Sequence, residues 1–230
     1  MCLTLHRTTL GKDWFICVAL LAFKPAAALE SNRVLLTSIT TSNINAAVDA
    51  WLSDSTSASA NYGNISVWDT SGVTSLAYTF HGHPAFNQDI GGWDTGAVTT
   101  LRDTFNGATA FNQDIGEWDT SAVRTLHGTF WGALDFNQDI GGWDTGAVTT
   151  LAYTFGGATA FDRDIGRWDT GAVTTLYYTF RGATAFNQDI GEWDTSAVRT
   201  LLESFAYASA FDQSISGWDT GAVRTLHGTF

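Results

Sequence analysis

The chain has 230 residues, 44% hydrophobic and 13% aromatic, with a formal charge of −12. That is too apolar and too aromatic for a disordered polymer, and too acidic for a partner built on a phosphate backbone. Arg7, Lys12 and Lys24 stand against Asp13 in the first 28 residues, so the remainder carries about −14. No lysine follows Lys24 and the eight later arginines are scattered, so no basic groove for nucleic acid can be assembled.

Residues 1–28 read as a secretory signal peptide. Arg7 and Lys12 come first, the apolar run Trp14–Phe23 follows, and Ala26-Ala27-Ala28 offers a small-residue cleavage site. The run is too short to cross a bilayer as a helix, and no membrane span is expected after its removal. Both cysteines, Cys2 and Cys17, lie in this segment, which leaves the mature chain without disulfides or a catalytic thiol. Asn64-Ile65-Ser66 is a glycosylation sequon compatible with export.

Residues 29–67 read as an N-terminal cap with a helix near 42–53. Ser42 is the expected N-cap, and Ile44, Val48, Trp51 and Leu52 fall on one apolar face. The serine-rich stretch 53–60 reads as a loop.

From residue 68 the chain repeats itself. Trp68, Trp93, Trp118, Trp143, Trp168, Trp193 and Trp218 open successive copies 25 residues apart, six complete and a seventh that stops at Phe230. A fixed period of this length is the signature of stacked coils. Within one copy Val98, Leu101, Phe105 and Ala108 form an apolar stripe at helical spacing, with Gly107 placed to end it in the left-handed region. Phe111, Ile115 and Trp118 then suit a short extended stretch that pairs with its counterpart in the next coil. The expected fold class is therefore α/β: a leucine-rich-repeat-like solenoid with one short strand and one short helical segment per 25-residue coil.

Copies such as Ala110–Phe130, AFNQDIGEWDTSAVRTLHGTF, resemble the BspA-type surface proteins, in particular their mycoplasmal-lipoprotein-type repeat. The likeness covers about 68–230, and the segment before it is similar to what precedes such repeats. The family pattern carries two methionines where this chain has Leu101 and Thr104. Leucine keeps the core volume, whereas threonine does not, so the Thr104 column is expected to face outward. The resemblance implies a leucine-rich-repeat-like solenoid on a secreted or surface protein, used for adhesion or protein binding.

Comparing the copies with one another separates constant columns from free ones. Aspartates recur at Asp69, Asp94 and onward, and at Asp89 and Asp114. No spacing gathers six oxygens at one place, so these read as turn formers, and neither metal nor cofactor is expected. Threonine ranks at Thr70 and Thr95, and at Thr100 and Thr125, read as hydroxyls satisfying backbone groups rather than as an ice-binding face.

The two columns after the core leucine vary freely, as does the column after the core phenylalanine. They collect Tyr78, Arg102, His127, Trp131, Tyr153, Tyr177, Tyr178 and Arg181. Tyrosine, tryptophan and arginine are the types that anchor interfaces, so these eight are the candidate partner-binding residues. The histidines and carboxylates assemble no catalytic set at any one coil, and no enzyme activity is expected.

The expected function is a secreted or surface-exposed repeat protein that contacts an extracellular or cell-surface protein or glycan. A structural spacer or coat module is the alternative. The missing C-terminal cap suggests a truncated chain.

Overall fold

Residues 36–230 are described by a computed structural model of the chain, so the expected signal peptide and residues 29–35 of the cap lie outside the described residues. Two short helices open this region. Helix α1 spans Ile44–Ser53 and buries Ile44, Val48 and Trp51 of the apolar face that spacing predicts, together with Ala47, while Leu52 is only partly buried. Its N-cap is Asn43 rather than Ser42. The Asn43 side chain faces backwards, its Oδ1 accepting from the Thr40 amide at 2.7 Å, and so clasps the preceding turn.

Helix α2, Ser55–Tyr62, replaces the serine-rich loop expected at 53–60. Asp54 makes the difference, because its Oδ1 accepts from the amides of Thr56 and Ser57 at 3.0 and 3.1 Å. A carboxylate at this position satisfies amides that have no partner inside the helix. Ala58 alone of this helix is buried, so the cap rather than an apolar face carries it. A 3₁₀ turn, Ile65–Val67, leads into the first copy.

The expected α/β plan is wrong. Among the described residues there is no strand or sheet, only an isolated bridge between Thr200 and Thr225, and no helix lies beyond residue 67. The copies are built from turns, and the destination of their backbone hydrogen bonds shows why. In one coil the amides of Leu101, Asp103, Phe105 and Gly107 donate to carbonyls of the following coil, at Thr125, His127, Thr129 and Trp131. The intervening amides of Thr104, Asn106 and Ala108 donate back three residues within their own coil. Half the donors stitch coils together and half close tight turns, so neither a helix nor a ladder develops.

The second expected element fails for a different reason. Around Asn112-Gln113-Asp114 the link to the neighbouring coil runs through side chains: the Asn112 amide donates to Asn87 Oδ1 at 3.0 Å, and Gln113 Nε2 reaches the same oxygen. Short polar side chains that bond the backbone compete with sheet pairing.

Inside the stack the constant residues form ladders along its length. Phe105 lies on Phe111 within its coil at 4.0 Å and on Phe130 of the next at 5.5 Å, with ring planes nearly parallel. Trp118, Trp143 and Trp168 stack at 6.4–6.5 Å, and each indole N–H is satisfied by an isoleucine carbonyl 28 residues earlier, as Trp118 is by Ile90 at 3.1 Å.

The Thr104 column faces inward, against the outward placement drawn from its mismatch with methionine. Thr104 is 0% exposed, and its hydroxyl donates to the Leu76 carbonyl of the preceding coil at 3.0 Å. Thr129 bonds both Leu101 and its own coil's Leu126. A small residue whose hydroxyl finds two carbonyls is at home where a larger one would be crowded. The Thr95 rank is likewise interior, with its hydroxyl donating to Asp119 at 3.0 Å. The aspartates form turns, as Asp94 does by accepting from the Gly96 amide at 3.1 Å. Glycine is obligatory at position 116, where a Cβ would stand 2.7 Å from the Asp139 carbonyl oxygen.

Candidate interaction face

The variable columns sit on the turns that carry the inter-coil hydrogen bonds, and the eight candidate residues fall into two groups. In the first, Arg102 Nε donates to the Tyr78 hydroxyl at 2.8 Å and stands 3.3 Å from Asp103 Oδ2. The Tyr78 hydroxyl is the main reason the Arg102 pKa is raised. Asp103 is buried and also accepts from Asn106 Nδ2 at 2.9 Å. Its carboxylate fills the space above Gly128, so a Cβ there would have to displace it.

The second group is a packed set of rings. Trp131 lies 4.7 Å from Tyr153 and 6.3 Å from Tyr178, and Tyr177 lies 4.2 Å from Tyr178. Tyr153 meets Tyr177 edge-on at 4.9 Å. Trp131 reaches this position because the next coil has Gly156, where a Cβ would come within 2.6 Å of the indole. Burial is the main cause that pushes the Tyr153 hydroxyl up to about 12, assisted by Tyr177.

His127 joins the groups. Its ring meets Tyr153 edge-on at 5.2 Å, and burial, with the Arg102 charge, lowers its pKa. Arg181 closes the far end, its guanidinium 5.1 Å from the Tyr178 ring and 5.0 Å from Tyr207. Its Nε donates to Glu203 Oε2 at 2.8 Å, and that ion pair holds the Glu203 carboxyl below its ordinary value. Glu203 in turn pushes the Tyr178 hydroxyl up to about 12. All eight residues therefore belong to one contiguous surface.

Three members stand outside the eight candidates: Asp103 and Glu203, which spacing places in the variable columns without a role, and Tyr207. Asp103 and Glu203 sit in the same column as Tyr78, Tyr153 and Tyr178, but as anchors for arginines rather than as rings. The backbone adds a feature of its own. Tyr78, Asp103, Tyr153, Tyr178 and Glu203 all have φ between 48 and 63°, and Gly128 and Gly228 hold the same column. A side chain there costs about 1–2 kcal/mol relative to glycine. Only the two glycines in the column signal this in the sequence.

Two overlapping stretches, 49–162 and 135–230, match the family described as "Mycoplasma protein of unknown function, DUF285". The chain belongs to this family. Together the matches run from α1 through the last repeat, so the family covers the repeats and part of the helical segment alike. No curated protein and no solved structure matches the chain. Among the described residues no helix is long and apolar enough to cross a membrane.

Proposed function

We propose that this family member is a non-catalytic, secreted or surface-exposed repeat protein of the BspA type, whose variable face binds an extracellular or cell-surface protein or glycan. The contiguous aromatic face supports this reading. Five of the seven residues in the positive-φ column are tyrosine or acid where glycine would relieve the backbone. Strain of this kind persists where surrounding packing and a role at a site maintain it. The exposed parts of the rings and arginines are the residue types that concentrate binding energy.

The test is capture from cell-surface and extracellular material by the full chain, against a variant with Trp131, Tyr153, Tyr177 and Tyr178 replaced by alanine. A specific partner retained by the first and lost by the second, with the variant still folded by circular dichroism, supports the binding face. A partner held equally by both, or none held by either, moves the reading to a structural spacer.

A further inference from the structure

The two arginines of the face are built alike. Each spends its Nε on a fixed partner: Arg102 on the Tyr78 hydroxyl and Asp103, Arg181 on Glu203. Each guanidinium also lies against tyrosine rings, Arg102 at 6.0 Å from Tyr78 and Arg181 between Tyr178 and Tyr207. Among the described residues neither has a hydrogen-bond partner at Nη1 or Nη2. A guanidinium held at Nε and on its face presents a pre-oriented pair of donors, the arrangement that binds a carboxylate in bidentate fashion. Ordering an arginine in advance removes much of the entropy cost of using it.

We infer that Arg102 and Arg181 are carboxylate-recognition points, and that the occupant of the face is an extended segment of a partner protein carrying spaced acidic side chains. This rests on the binding-face reading above. Three considerations favour such a segment. The arginines stand three coils apart and in different columns of the repeat, so hydrogen-bonded chains spaced about 4.8 Å separate them by roughly 15 Å along the stack, a distance an extended peptide needs at least about four to five residues to cover. The rings of Trp131 and Tyr153 lie on the two coils between them, with Tyr178 beside Arg181, and offer surface for apolar or aromatic side chains. The body's charge of about −14 repels a polyanion at long range, which disfavours sulfated or polysialylated chains, while isolated carboxylates are read at contact distance.

The probe is a library of random twelve-residue peptides displayed on phage and selected on the full-length chain, with arrays of neutral and acidic glycans as a parallel arm. The expected result is enrichment of peptides with two Asp or Glu at least about four residues apart around an apolar or aromatic residue. Synthetic versions are expected to lose about tenfold in affinity on Arg102→Lys and on Arg181→Lys. They are expected to lose binding altogether when the four rings are replaced. Lysine keeps the charge and loses the fork, so an unchanged affinity in both variants overturns the inference. If those peptides still depend on the rings, the aromatic face stands and only the arginine assignment falls. Peptides without acidic enrichment, or glycans bound in place of peptides, also overturn it. Binding indifferent to both rings and arginines removes the face itself.

Discussion

Two neighbouring columns, one residue apart in every coil, obey opposite rules. Thr79, Thr104, Thr129, Thr154, Thr179, Ser204 and Thr229 keep one chemistry throughout, buried with their hydroxyls on carbonyls. Tyr78, Asp103, Gly128, Tyr153, Tyr178, Glu203 and Gly228 precede them and share only a left-handed backbone. The inner column is selected by packing and by the satisfaction of polar groups, which every coil must repeat. The outer column inherits its backbone from the turn and is free in its side chain, so that each coil presents something different. A repeat protein thus separates the residues that hold coils together from those that give each coil its character.

The comparison breaks most forcefully at the interior. Replacing Phe130 with alanine removes contacts with Phe105, Phe136 and Phe155, and is expected to cost about 3–5 kcal/mol in urea unfolding. A cost below about 1 kcal/mol would mean that the ladder is not tightly packed. Thr129→Met installs the side chain of the BspA-type pattern in a site already full, and is expected to destabilise by about 1–3 kcal/mol. Thr129→Val, which replaces the hydroxyl with a methyl group of similar size, should cost about 1 kcal/mol. If methionine is accepted without loss, the inward column is not size-limited.

The outer column should respond with the opposite sign. Tyr78 is 45% exposed, so glycine there gives up only surface contacts with Arg102 and His81 and relieves a φ of 63°. Tyr78→Gly is expected to leave stability unchanged or raise it by up to about 1 kcal/mol, whereas Tyr78→Val, β-branched in a left-handed site, should lower it. Equal losses for both would show that the tyrosine ring outweighs the backbone.

The smallest effects are those of pH. His127 has a lowered folded-state pKa because of burial and Arg102, so the folded chain prefers the neutral ring. The associated stability is present above the ordinary histidine value and falls as pH drops below about 6.5. Following Tm against pH, His127→Gln should flatten this slope, and an unaltered slope would remove His127 from it. At the alkaline end Tyr153 and Tyr178 are pushed up to about 12, so their contribution is complete below about pH 10 and lost as pH rises towards 12. Tyr153→Phe should remove one late step from an ultraviolet phenolate titration, and a wild-type curve complete by about pH 11 would contradict the packed ring cluster.

The 25-residue period and the interior occupants were legible in the sequence alone. Val98, Leu101, Phe105, Ala108, Phe111, Ile115 and Trp118 were singled out by spacing, and all are buried. Large apolar groups recurring at a fixed interval have no other stable destination than a shared core. The free columns were also legible, because repeats can be compared with each other inside one chain.

Tertiary structure alone decided the backbone that carries them. Apolar spacing cannot tell a helical turn from a chain whose alternate amides turn outward to a neighbouring coil, since both put Val98, Leu101 and Phe105 inside. That choice depends on carbonyls 24 residues away, a distance at which local patterns carry no information. For the same reason the inward threonine column, the Tyr78 hydroxyl that holds Arg102 and the Glu203 anchor of Arg181 emerged only once the coils were stacked: each is defined by a hydrogen bond or ion pair to a different coil.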